Sequence, residues 1–138
     1  MTGKAPRLID VIICDEVRQE NTGKLLVIGM YLDNIGVPQL PFVMPVLTFL
    51  CKWYCESGSL PLGSYELKTP AARTLLSQNL ERTEPSPEAP AQMLVPIRFQ
   101  ALHLTETGKY RLSFKPEGGR SRIIASFRVH TPIEAEES

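Results

Sequence analysis

The chain has 138 residues, with 15 Lys and Arg against 15 Asp and Glu, so its net charge is close to zero. We expect residues 1–138 to form one domain, because two domains of half this length would each be marginal. The balanced charge gives no overall attraction to nucleic acid. The longest apolar run, residues 43–54, contains Pro45 and Lys52 and falls short of the roughly 20 residues that a membrane helix needs. We therefore expect neither a nucleic-acid nor a membrane partner.

The first residues do not resemble a secretory signal. Lys4 and Arg7 precede an apolar stretch, but Asp10 interrupts it, and Asp15 and Glu16 follow where a small-residue cleavage site would lie. Three cysteines are an odd number and argue against a disulfide framework. We therefore expect a cytoplasmic protein.

Residues 9–32 predict two strands joined by a turn. Apolar residues alternate on one face at a period of two, and residues 21–23, Asn-Thr-Gly, provide the backbone freedom that a hairpin needs. The alternating set is Ile9, Val11, Ile13 and Val17. Residues 33–36 predict a turn, and three prolines in residues 37–45 exclude both a helix and a central strand.

Residues 46–55 predict a strand with one buried face, because apolar residues again alternate with polar ones. The buried set is Leu47, Phe49, Cys51, Trp53 and Cys55, with Trp53 as a core anchor rather than a ligand-stacking residue. Cys51 and Cys55 are expected to be core residues, since four residues of a strand span roughly 13 Å, too far for a disulfide.

Short strands are also predicted at residues 65–69 and 73–79, although the second could form a single helical turn. Prolines recur through residues 81–91, which predicts a mobile, polyproline-like loop. Residues 1–7 and 131–138 are expected to be frayed termini. The strand that contains Met93 and Phe99 carries Pro96, so it should be an edge strand or hold a bulge.

The last third of the chain predicts a hairpin around the turn at residues 116–119. Pairing Lys115 with Arg120 places Leu112 opposite Ile123 and Tyr110 opposite Ala125, so that both strands present apolar residues to the same side. Residues 106–110, Glu-Thr-Gly-Lys-Tyr, resemble the tyrosine corner of immunoglobulin-like domains, in which the phenol bonds back to the preceding loop. We therefore predict an all-β chain, an antiparallel β-sandwich of about seven or eight strands that is immunoglobulin-like or C2-like.

Cys14, Asp15 and Glu16 form the densest cluster of reactive residue types. Adjacent strand residues point to opposite faces, so Asp15 and Glu16 cannot act together on one substrate atom, and no histidine adjoins Cys14 in sequence. We favour a structural role, in which the two carboxylates pair with Arg18 and Lys24 across the turn. His103 and His130 are isolated, so no catalytic residue, metal site or cofactor is predicted.

Basic residues concentrate on the C-terminal hairpin, with only Glu106 and Glu117 to offset them. The candidate partner-binding residues are Lys109, Arg111, Lys115, Arg120, Arg122 and Arg128, with Arg98 adjacent. This face could bind an anionic partner, or it could be an ordinary solvated sheet surface. No aromatic residue interleaves with these cations, which disfavours single-stranded nucleic acid. A second candidate surface is a ridge of Leu40, Phe42 and Met44, which would otherwise be a buried crossover.

Several segments of the sequence, including the Pro-rich one, carry a resemblance to a known family. The others are residues 13–20, Ile-Cys-Asp-Glu-Val-Arg-Gln-Glu, residues 23–25, Gly-Lys-Leu, and residues 28–31, Ile-Gly-Met-Tyr, followed later by the Gly108-Lys109-Tyr110 strand. Together they resemble a family of small bacterial proteins classed only as a domain of unknown function. The resemblance implies a stand-alone bacterial protein and carries no activity or cofactor.

We conclude from the sequence that the chain is a non-enzymatic interaction module for a protein or anionic partner. The alternatives are a small ligand-binding protein or enzyme with a site near Cys14, Asp15 and Glu16, and a homo-oligomeric assembly subunit joined edge to edge through residues 93–104.

Overall fold

A computed structural model describes residues 6–55, 61–80 and 91–132. These residues form nine strands, which confirms the all-β prediction. The strands are β1 (Arg7–Gln19), β2 (Leu25–Tyr31), β3 (Asn34–Gly36), β4 (Phe42–Cys55), β5 (Gly63–Lys68), β6 (Thr74–Leu80), β7 (Ala91–Leu104), β8 (Gly108–Pro116) and β9 (Arg122–His130). The loop predicted at residues 81–91 lies outside the described residues except for Ala91, and so do residues 1–5 and 133–138 of the predicted frayed termini. Arg7 already belongs to β1.

The strands form two sheets. The first sheet has the order β2-β1-β4-β7, and the second sheet has the order β3-β9-β8-β5-β6. Every pairing is antiparallel except that of β3 with β9, which is parallel. β7 lies at an edge, as Pro96 predicted, because a proline cannot donate a ladder hydrogen bond.

Aromatic side chains from the two sheets contact each other in one shared core. The ring of Phe49 on β4 lies 6.1 Å from that of Phe127 on β9, and the ring of Trp53 on β4 lies 5.0 Å from that of Phe114 on β8. The predicted buried face of β4 is confirmed, since all five of its apolar residues are buried and Trp53 is fully buried. The expectation that only this face is buried is wrong, because Thr48 and Leu50 on the opposite face are buried as well. Cys51 and Cys55 are free, buried core residues, as predicted.

The N-terminal hairpin is confirmed, with β1 and β2 joined by a turn in which Gly23 N–H donates to the carbonyl of Glu20. The prediction for Ile9 is wrong. The register of β1 against β4 shifts between Leu8 and Asp10, so Ile9 is the extra residue of a bulge and is 43% exposed.

The proline-rich segment also differs from its prediction. β4 is a central strand and begins at Phe42, so it contains Pro45. The pairing of β4 with β1 starts only at Thr48, so around Pro45 β4 pairs with β7 alone, and this one-sided stretch tolerates the missing N–H. The turn predicted at residues 33–36 is instead the short strand β3.

The predicted register of the C-terminal hairpin is wrong. Phe114 lies opposite Arg122, one residue from its predicted partner, and Ser113 lies opposite Ile123. The register then shifts by one more residue next to Ser113, so Leu112 lies opposite Ala125 and Tyr110 lies opposite Phe127. This bulge turns Ile123 away from the core and leaves it 59% exposed. The hydrogen bond expected for Tyr110 is confirmed, since its hydroxyl donates to the carbonyl of Glu106 at 2.8 Å.

Among the described residues, no helix is long and apolar enough to cross a membrane.

Candidate functional site

The reactive cluster of β1 divides between the two faces of the first sheet. Asp15 accepts a hydrogen bond of 2.6 Å from the hydroxyl of Tyr31 and lines a pocket of about 390 Å³ whose other lining residues are mostly apolar. Cys14 is buried, and Glu16 lies 3.5 Å from Arg18 and 3.6 Å from Arg98. The predicted pairing of Glu16 with Arg18 is present, but within β1 and not across the turn. The predicted pairing of Asp15 with Arg18 or Lys24 is wrong, because its carboxylate bonds to the phenol of Tyr31.

The position of Asp15 depends on a glycine that the sequence reasoning did not single out. Gly29 on β2 has φ of +68°, and a Cβ there would overlap the carboxylate Oδ2 of Asp15 and lie 2.8 Å from its Cγ. Asp15, Gly29 and Tyr31 all belong to the pattern on which the family resemblance rests. Their convergence indicates that this pattern holds β1 and β2 together around one carboxylate.

Burial and the Asp15 carboxylate raise the pKa of two neighbouring groups. The pKa of Tyr31 rises to about 12, mainly through burial and then through its hydrogen bond to Asp15. The pKa of the Cys14 thiol is raised by burial and then by the negative charge of Asp15. A thiol with a raised pKa stays protonated at neutral pH, so Cys14 is a poor nucleophile.

We expect all three thiols of the folded protein to be unreactive at pH 8. Burial raises the pKa of Cys14 and of Cys55, and it raises the pKa of Cys51 to about 12. Titration with a chromogenic disulfide should therefore detect less than about one thiol in buffer and all three in denaturant. Rapid modification of Cys14 in the folded protein, located by peptide mass mapping, would contradict this result.

The cations of the C-terminal hairpin lie on the outer face of the second sheet. Tyr110, Leu112 and Phe114 face the core, so the residues that alternate with them on β8 face outward. Sequence reasoning missed a further cation, Lys68 on β5, because its neighbouring strand could not be identified from local pattern. We define the basic face as the outward cations of this sheet: Lys68, Lys109, Arg111, Lys115 and Arg128.

Two pairs of like charges lie directly opposite each other on the basic face. Lys109 is opposite Arg128 on β9, and Arg111 is opposite Lys68 on β5. Among the described residues, the ion pairs within 4.0 Å are those of Glu16 with Arg18 and with Arg98, so neither like-charge pair has a carboxylate at that distance. Glu66 lies opposite Ser113, two residues along β5 from Lys68. Asp33 lies beside the other pair, since it lines one pocket with Lys109 and Arg128.

A pocket of about 420 Å³ lies on the basic face around Arg111. Its lining residues come from the end of β5 and the following turn, from the middle of β8, and from the start of β9. They are Lys68, Thr69, Ala72, Arg111, Ser113, Ser121, Arg122 and Ile123.

Of the remaining predicted binding residues, only Arg122 reaches the basic face, where it lines the pocket around Arg111. Arg98 lies on β7 of the first sheet, and Arg120 lies in the turn before β9. The Arg122 guanidinium lies 5.9 Å from the ring centre of the core residue Trp53. Leu40 and Phe42 are half-buried against the core and Met44 is buried, so these three residues do not form an exposed ridge.

A family model matches residues 10–129 of the chain, which include all nine strands in whole or in part. The chain belongs to DUF6941, a family of unknown function. The family resemblance seen in the sequence is therefore confirmed at the level of an uncharacterised domain. No curated protein matches the chain. Within the described part of this DUF6941 chain, no three His, Cys, Asp or Glu side chains are grouped so that they could hold a metal ion.

Proposed function

We propose that this DUF6941 protein is a non-enzymatic interaction module that binds an acidic protein segment on its basic face. We also propose that its two sheets form an immunoglobulin-like β-sandwich and that the protein is located in the cytoplasm. The shared aromatic core and the hydrogen bond from Tyr110 to Glu106 support the fold. The two directly opposed like-charge pairs support the function.

Like charges directly opposite on neighbouring strands destabilise a sheet by up to about 1 kcal/mol per pair. The basic face holds two such pairs next to each other, since Lys109 and Arg111 lie two residues apart on the same face of β8. A bound anionic segment would relieve both repulsions, so part of its binding free energy comes from strain that the free protein already carries. This is the physical reason for preferring a binding face to a merely solvated one.

A protein segment fits this face better than nucleic acid. Stacking on aromatic side chains supports single-stranded nucleic-acid binding, and the outward residues of β8 opposite β5 are Lys, Arg and Ser. An enzyme site at Cys14 is less well supported, because Glu16 and Cys14 do not share the pocket that Asp15 lines. The raised pKa of Cys14 also disfavours nucleophilic chemistry.

The proposal predicts that a fluorescein-labelled, Glu-rich peptide binds the protein at low ionic strength. Replacing both Lys109 and Arg128 by Gln should weaken binding about tenfold, as expected from the loss of two exposed ion pairs. Fluorescence anisotropy measures the dissociation constants, and thermal unfolding checks that the variant is folded.

The matched control is the double substitution of Arg18 and Lys24 by Gln, which removes the same charge from the β1–β2 hairpin. Equal weakening by both double variants would contradict the proposal, since binding would then follow net charge alone. Tighter binding of a single-stranded oligonucleotide of equal charge would assign the face to a different class of partner.

A further inference from the structure

We propose that the pocket around Arg111 binds a tetrahedral oxyanion, such as the phosphoryl group of a phosphorylated side chain. This inference rests on the proposed function, because it gives the basic face a specific chemical preference within an acidic segment. The carrying observation is a concave site of about 420 Å³ lined by the opposed cations Lys68 and Arg111 and by three hydroxyl-bearing residues.

The two cations are held next to each other by the backbone. Lys68 and Arg111 lie at paired positions of β5 and β8, so their Cβ atoms are roughly 5 Å apart. Both side chains are half-buried, which limits the screening of their charges by solvent. A single anion placed between them can therefore contact a guanidinium and an ammonium at the same time.

The hydroxyl groups add donors that a carboxylate ligand would not need. Thr69 and Ser113 are both more than nine-tenths buried, and Ser121 lies on the exposed side of the pocket. The Oγ1 of Thr69 accepts a hydrogen bond of 3.2 Å from the N–H of Arg73, so its own hydrogen is free to be donated to a ligand. A phosphoryl group offers three acceptor oxygens and a charge near −2, which match two cations and several hydroxyl donors better than a carboxylate does.

The turn after β5 fixes one side of the pocket in advance. Thr69 N–H donates to the carbonyl of Arg73 at 2.9 Å, and Ala72 N–H donates to the carbonyl of Thr69 at 2.8 Å. Ala72, which lines the pocket, has φ of +64° within this turn. A turn that is closed by its own hydrogen bonds loses little conformational entropy when a ligand binds.

Two nearby charged residues, Arg122 and Glu66, are not part of the proposed contacts with the phosphoryl group. The guanidinium of Arg122 lies near the ring of Trp53, so Arg122 is left out of the proposed contacts although it lines the pocket. Glu66 lies opposite Ser113 on the same face and is not among the lining residues. Two cations therefore face the ligand for each nearby carboxylate.

The test compares one Glu-rich peptide that carries a phosphoserine with the same peptide unphosphorylated, using fluorescence anisotropy. We expect the phosphoryl group to tighten binding at least about tenfold, the gain typical of a charge-assisted hydrogen bond. Lys68→Gln or Arg111→Gln should abolish this gain. Lys115→Gln is the matched control, because Lys115 lies on the same face and strand as Arg111 but outside the pocket, and it should keep the gain.

The outcomes separate this inference from the proposed function. Equal affinity for both peptides would overturn the oxyanion site and leave the binding of acidic segments intact. Binding of the phosphopeptide alone would overturn the preference for acidic segments and support the pocket.

Inorganic phosphate is the third ligand. Competition only at concentrations far above those of the phosphopeptide supports a phosphorylated protein as the source, and competition at equal concentrations supports a free phosphate. Loss of the gain in Lys115→Gln as well as in Lys68→Gln would overturn the site. Thermal unfolding of each variant shows whether the fold is retained.

Discussion

Replacing Gly29 by Ala is expected to destabilise the protein by about 2–4 kcal/mol. Gly29 has φ of +68°, which a residue with a Cβ adopts at a cost, and the added Cβ would also overlap the carboxylate of Asp15. Moving the carboxylate aside would break the hydrogen bond of 2.6 Å that it accepts from the Tyr31 hydroxyl. Chemical denaturation followed by tryptophan fluorescence measures the change in unfolding free energy.

Gly23→Ala is the matched control for this prediction. Gly23 has φ of +87° but nothing within 4 Å of an added Cβ, so only the backbone cost of about 1 kcal/mol should remain. In an Asp15→Ala background, Gly29→Ala should also fall close to that cost, because the overlapping oxygen is gone. If Gly29→Ala and Gly23→Ala were equally destabilising in the natural background, the crowding of Asp15 would play no role.

Replacing Phe49 by Ala is expected to destabilise the protein by about 3–5 kcal/mol, a large part of the stability of a domain of this size. Phe49 is fully buried, and its ring contacts Phe99 at 5.9 Å within the first sheet and Phe127 at 6.1 Å in the second. The substitution would leave a cavity where the two sheets meet. Thermal and chemical unfolding measure the effect.

Phe42→Ala removes the same side chain from a half-buried position on the same strand. It should cost about 1–2 kcal/mol, because less apolar area returns to water. A comparable loss from both substitutions would contradict a core shared between the sheets. It would place Phe42 among the principal packing residues.

Local pattern identified most of the strands of this protein. The alternation of β4, the turn at residues 21–23 and the edge position signalled by Pro96 all depend on side chains and neighbours within a few residues. The hydrogen bond of Tyr110 to Glu106 was predictable for the same reason, since its partners lie four residues apart. Bulges were not predictable, because one extra residue moves the side chains that follow it to the opposite face of the sheet and leaves no signal in the local composition.

Only part of the candidate site could be predicted from the sequence. Lys109 and Arg128 lie on one hairpin, so the concentration of positive charge there could be predicted from the sequence. That the two residues lie directly opposite each other could not be predicted, because the observed register differs from the predicted one by two residues. Lys68 comes from a distant strand and has no local signal. Its partnership with Arg111 exists only because β5 pairs with β8.

The sequence by itself determined that this chain is built from β-strands, that Trp53 and its alternating neighbours form a core, and that its cations gather near the C-terminus. These features follow from the side-chain period of a strand, which is a local property. The tertiary structure decided which strands pair, that Gly29 makes room for Asp15 under Tyr31, and that Lys68 faces Arg111 across a pocket. Such contacts depend on register between strands far apart in the chain, and a shift of one residue moves every side chain to the opposite face.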